Sequence, residues 1–220
     1  MCEFVVFEDM KKLLVNIVIF YCLSSVNVFA ADEAMSTGEL YLETFLANTK
    51  TLEADFQQTL RANDGEVLQQ TEGEFYLDRP GKFRWNYKTP YQQIIVSDGE
   101  RIWIYDVDLQ QVTVQQQSKG MPATPMALLE DSFKLHQSFY VSPIDDHNGV
   151  YRLKLESKTK ESDFSEIVIG LDDNGLRFMQ LHDQFEQVTD IVFSNISNNV
   201  KLAKELFEFT PPAGVDVFGG

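Results

Sequence analysis

From Leu52 onward the chain places apolar side chains at every second position again and again, and that period commits it to half-buried strands. Leu52, Ala54, Phe56 and Leu60 fall on one face of a strand whose other face carries Glu53, Asp55 and Gln57. In Lys82-Phe83-Arg84-Trp85-Asn86-Tyr87 every second residue is aromatic, so three rings share a face. Residues 74–78, 94–96, 101–107, 112–114, 138–141, 151–156, 164–171, 176–181, 187–193 and 206–209 carry the pattern on, for about ten or eleven strands in all. Turn residues separate them, among them Arg79-Pro80-Gly81, Thr89-Pro90, Ser97-Asp98-Gly99-Glu100 and Asp172-Asp173-Asn174-Gly175. Both faces of Ile102-Trp103-Ile104-Tyr105 are apolar, which predicts a central strand covered on each side.

Two segments depart from this period. Over residues 32–48, Leu42, Phe45, Leu46 and Thr49 fall at helical spacing and predict an amphipathic helix. Within residues 120–133, Thr124-Pro125 opens a short helical stretch whose apolar set is Met126, Leu128, Leu129 and Phe133. Strands do not alternate with helices, and no fixed repeat or linker divides the chain, so the expected fold is mainly β. It is a single antiparallel sheet, curled into an incomplete barrel because so many strands do not stay flat, with helices over its hollow side. Two helices cover such a face only in part. The aromatic concave side is therefore either filled by its own side chains or keeps room for a ligand.

Composition narrows the partners. Eighteen Lys and Arg against 34 Asp and Glu give a formal charge of −16, which excludes an electrostatic grip on nucleic acid. Seventeen Phe beside 8 Tyr and 2 Trp supply more apolar ring surface than a hydrophilic module needs. Met10-Lys11-Lys12, the apolar run of residues 13–23 and Val28-Phe29-Ala30 predict a signal peptide over residues 1–30, with Met10 the expected true start because Glu3, Glu8 and Asp9 precede it. Residues 31–220 then form one domain. Cleavage removes Cys2 and Cys22, leaving no thiol for catalysis, metal binding or disulfides, and the bulky residues before Cys22 disfavour lipidation there.

Catalytic patterns are weak. His136, His147 and His182 lack metal-ligand spacing, and no cofactor is implied. Asp106, Asp108 and Asp145-Asp146-His147 could act in a hydrolase, but they sit at strand ends and turns, where solvated carboxylates are ordinary. No nucleophile elbow or phosphate-binding glycine loop occurs.

Four segments in order carry a resemblance: Leu52-Glu53-Ala54-Asp55-Phe56-Gln57-Gln58; Gly73-Glu74-Phe75 running into Arg79-Pro80-Gly81-Lys82-Phe83-Arg84-Trp85; Val96-Ser97-Asp98-Gly99 before Ile102-Trp103-Ile104-Tyr105; and Phe207-Glu208-Phe209-Thr210-Pro211-Pro212-Ala213-Gly214-Val215. Together they resemble the outer-membrane lipoprotein carrier family, LolA. The resemblance implies an incomplete β-barrel lidded by helices, and a non-enzymatic, monomeric periplasmic chaperone. Such a carrier takes acylated lipoproteins from an inner-membrane ABC transporter complex and hands them to an outer-membrane receptor, LolB. The other readings are a periplasmic regulator sensing lipid or peptide with the same half-barrel and, more remotely, a hydrolase.

On this resemblance Phe75, Phe83, Trp85, Trp103, Met121 and Met126 are expected to line the cavity. Arg79 aligns with the family arginine that binds backbone carbonyls of the lid helices, which makes it the expected latch; by itself an arginine before a Pro-Gly turn is a solvated turn residue. The lid contacts then lie at Leu46, Leu128, Leu129 and Glu130, the last an acidic residue where a small apolar one is expected. Lys82, Arg84 and Lys88 form a basic spot beside Arg79, read as a docking surface for partners or equally as the wet face of a strand.

Overall fold

In the computed structural model, residues 35–117, 132–158 and 164–220 are described. The expected signal peptide and residues Met121, Met126, Leu128, Leu129 and Glu130 lie outside them. Helix α1 (Thr37–Asn48) starts at a reciprocal cap written in the sequence as Ser36-Thr-Gly-Glu39. The Glu39 amide donates to Ser36 Oγ at 3.2 Å and the Ser36 amide to Glu39 Oε2 at 2.8 Å. Helix α2 (Ser132–Ser138) follows much later. It runs beyond the stretch predicted as helical, and its last residue falls where the alternation predicts strand.

The strands are β1 (Thr51–Arg61), β2 (Val67–Asp78), β3 (Lys82–Thr89), β4 (Gln93–Asp98), β5 (Arg101–Asp106), β6 (Gln111–Gln116), β7 (Phe139–His147), β8 (Val150–Ser157), β9 (Phe164–Asp172), β10 (Gly175–Asp183), β11 (Val188–Asn198) and β12 (Asp216–Gly219). They form one sheet in the order β12-β6-β5-β4-β3-β2-β1-β11-β10-β9-β8-β7. Neighbours are antiparallel except β12, which runs parallel to β6. The end strands β12 and β7 are not bonded to each other, so the curved sheet stays unclosed. Register shifts in β1, β2, β7 and β10 add to the bend.

The register fixes which side chains share the concave face. Phe56, Gly73 and Tyr87 stand in one row across β1, β2 and β3; Ala54, Phe75, Trp85, Ile95 and Ile104 form the next, extending to β5; Leu52, Leu77, Phe83, Ser97 and Ile102 form a third. Leu153, Leu155, Ile167, Ile169, Met179 and Leu181 continue the interior across β8, β9 and β10, and α1 closes that half with Leu42, Phe45 and Leu46. A buried side chain of this size contributes about 1.5–3 kcal/mol. Gly73 is required in its row, since a Cβ there would come within 2.8 Å of the Phe56 ring.

A smaller apolar layer lies on the convex side. Trp103 pairs with Val96, and Val96 with Arg84, so Trp103 points away from Trp85. Val96 and Val112 are fully buried here, and Phe209 packs on Trp103 at 6.2 Å and on Tyr105 at 5.8 Å. This is why β5 is apolar on both faces: the chain end covers the second one. The segment expected as a strand over residues 206–209 is instead a 3-10 turn, Lys204–Phe207, followed by an extended run, because it serves as this cover and joins no ladder.

Candidate functional site

The concave face holds a continuous ring cluster. Trp85 lies 4.8 Å from both Phe56 and Phe75, 6.1 Å from Tyr87 and 6.2 Å from Phe193, and Phe56 meets Tyr87 edge-on at 5.2 Å. Such pairs add about 0.5–1.5 kcal/mol beyond their buried area. The indole Nε1 of Trp85 is buried without a hydrogen-bond partner among the described residues. The Tyr87 hydroxyl donates to Gln58 Oε1 at 3.3 Å, and burial pushes its pKa well above the usual phenol range. Among the described residues these rings pack against one another; a polar cavity of about 190 Å³ is lined by residues 57–59, 70–72 and Thr89, where β3 ends beside β2.

Arg79, in the turn between β2 and β3, reaches over this face to α1. Its Nη1 donates to the carbonyl of Leu46 and, at 2.9 Å, to that of Thr49, while the guanidinium sits 5.7 Å from the centre of the Phe45 ring. The last turn of α1 has no basic residue of its own, so Arg79 supplies a cation to the negative helix end. The Leu46 side chain itself is buried in the interior. At the other side α1 is fixed by the Tyr41 hydroxyl, which donates to Asp173 Oδ1 at 2.6 Å and stacks on Tyr151 at 4.4 Å. The bond to the carboxylate pushes the Tyr41 pKa up to about 12. His136 of α2 approaches Glu43 of α1 at 2.7 Å, linking the two helices.

Phe75, Phe83 and Trp85 stand on the concave face, in the buried apolar cluster. Trp103 does not: the register turns it to the convex side under Phe209. Arg84 also departs from its reading as a docking residue. Its Nε donates to Asn86 Oδ1 at 2.7 Å and its Nη1 to the Leu206 carbonyl at 3.2 Å, and burial lowers its pKa, so it anchors the C-terminal cover. Lys88 is held by Glu74; their hydrogen bond lowers the pKa of Glu74 and raises that of Lys88. Lys82 lies half-buried on the same convex face of β3. Sequence reasoning does not single out Phe193 or Phe45 as site residues. The alternation in 187–193 marks Phe193 as a face residue, but only the β1–β11 register puts it beside Phe56.

Among the described residues no cluster of His, Cys, Asp and Glu has the geometry of a metal site, and no helix is long and apolar enough to cross a membrane.

An open, curved antiparallel sheet with an apolar concave face, and a helix tied across it by an arginine from a hairpin turn, defines a half-barrel with a tethered lid. The chain belongs to the LolA family: residues 47–210 match the family described as outer membrane lipoprotein carrier protein LolA. It is 43% identical over 188 residues to the outer-membrane lipoprotein carrier protein of Methylococcus capsulatus, covering 86% of this chain and 90% of that one. To the protein of the same name from Nitrosospira multiformis it is 40% identical over 198 residues, 90% and 96% of the two chains. The crystal structure of an uncharacterized conserved protein from Thermus thermophilus shares the fold with a TM-score of 0.54 at 12% identity, covering 83% of this chain and 99% of that one.

Proposed function

We propose that this protein is a non-catalytic periplasmic carrier that shields the acyl chains of outer-membrane lipoproteins on its concave face, takes them from an inner-membrane ABC transporter complex and delivers them to the receptor LolB. The observation that carries the reading is the tether of α1 by Arg79 over a face of packed rings. An acyl chain in bare water costs about 0.8 kcal/mol per methylene, so a lipoprotein with several chains needs a substitute for the membrane. Two charge-assisted bonds of about 1.5–3 kcal/mol each hold the lid end, which burying roughly four to eight methylenes offsets. The lid is thus closed when empty and opened by the cargo itself, and the same small margin lets a receptor remove the chains.

Arg79 is the latch in this reading, with Leu46 as its contact on α1, and Phe75, Phe83 and Trp85 line the space that opens. Lys82 remains the cation of β3 for partner contact, since Lys88 is held by Glu74. Mixing the protein with membranes bearing acylated lipoproteins, the transporter and ATP tests the assignment. A soluble one-to-one complex is expected, and its absence overturns the carrier role.

A further inference from the structure

β2 is longer than the strand beside it. It pairs with β1 down to Val67, whereas β3 accompanies it only as far as the Glu72–Thr89 pair. Pro90 follows Thr89 and has no N–H for a ladder, so β3 stops and residues 67–71 of β2, about 17 Å of strand, have no neighbour on that side among the described residues. The result is a step in the lower end of the sheet. An edge strand turns alternate N–H and C=O groups outward, a template for one more strand.

Three observations mark the step as more than a frayed end. The side chains of Val67 and Leu68 are 43% and 49% exposed, and Tyr91, on the turn that ends β3, is 67% exposed, so apolar surface flanks the free backbone. The polar cavity of about 190 Å³ opens in the step. Thr71 lines it, only 8% exposed, with its Oγ1 buried and without a hydrogen-bond partner among the described residues. A buried hydroxyl in that state costs about 1–3 kcal/mol until a donor or acceptor reaches it.

Charge selects the occupant. Asp64, Glu66 and Glu72 are exposed around the step, while the nearby cations are engaged, Arg61 with Asp190 and Lys88 with Glu74. Two copies of this edge would bring like charges together, which disfavours self-pairing. We propose that the step between β2 and β3 docks an extended segment of a partner protein, one that carries both cationic and apolar residues, as an added strand on residues 67–71. Its backbone pairs with β2, and its side chains meet the apolar surface of Val67, Leu68 and Tyr91 and the carboxylates of Glu66 and Glu72, which the register shift at residues 67–69 distributes over both faces of the strand. The site is separate from the lipid-shielding face and does not depend on it.

The probe is an acetylated, amidated octapeptide of alternating Lys and Val, with an alternating Glu and Val octapeptide as comparator. Hydrogen exchange of the purified protein is followed by amide-resolved NMR. The lysine peptide is expected to slow exchange at residues 67–71 at least tenfold, the glutamate peptide to leave it unchanged, and the double variant Glu66→Lys with Glu72→Lys to weaken the lysine peptide's affinity at least tenfold. Protection elsewhere or none at all, equal binding of both peptides, an affinity indifferent to the double variant, or concentration-dependent protection of residues 67–71 without peptide each overturns the proposal, the last in favour of a second copy.

Discussion

Arg79 donates to the Leu46 carbonyl from across a turn 33 residues away in sequence, and so the last turn of α1 is held by a hairpin and not by its own side chains. Replacing Arg79 with Leu removes both carbonyl bonds and the contact with the Phe45 ring. The variant is expected to accept lipoprotein from the transporter and to pass it on poorly, because the open state is no longer strained relative to the closed one. Transfer kinetics to receptor-bearing membranes check this; normal transfer would discard the latch.

Trp85 and Trp103 separate the two faces. Trp85→Ala is expected to weaken retention of acylated cargo in a pull-down by an order of magnitude or more, whereas Trp103→Phe, under the C-terminal cover, leaves it within about twofold. Equal losses would mean that both faces handle the acyl chains.

Gly73 and Gly170 both lack room for a Cβ, but for different reasons. At Gly73 it would lie 1.8 Å from the Asn86 carbonyl oxygen, a backbone atom; at Gly170 it meets the Phe178 ring at 2.1 Å, a side chain on the convex face that can turn away. Gly73→Ala is therefore expected to destabilise the fold by about 3 kcal/mol or more and Gly170→Ala by about 1–2, read from urea unfolding.

Tyr41 ionises at about 12 because its proton is held by Asp173. A phenol whose folded pKa lies above the ordinary value near 10 stabilises the fold below that pH, and the contribution fades as pH rises from about 10 through 12. The stability difference between the wild type and Tyr41→Phe, followed by denaturation across this range, should shrink with rising pH. A difference that stays constant would contradict the Tyr41–Asp173 bond.

Much of the fold was legible because strand alternation is a local signal. The faces of β1, β3 and β5 could be read directly, as could the apolar stripe of α1, although the expected helix begins at residue 32 and the reciprocal cap of Ser36 and Glu39 places the start at Thr37. The pairing of faces was not legible, since it depends on register: Trp85 and Trp103 have equal claim to the interior until Ile95 and Val96 are assigned their neighbours. Leu206–Phe209 reads as a strand because a segment that covers an apolar face and one that joins a sheet bury similar residues. β12 escapes the pattern, as its four residues gain their place by pairing with β6 and show no periodicity of their own. The reach of Arg79 to α1 came from family resemblance, not from any local pattern.

The most direct test of the carrier account places a photo-crosslinking phenylalanine analogue at Phe193, on the concave face beside Phe56, or at the adjacent Val192, 52% exposed on the other side of the same strand. After loading with an acylated lipoprotein, crosslinks to the acyl chains are expected from position 193 and not from 192. Crosslinks from 192 alone, or from both alike, would contradict an interior that opens to hold the cargo.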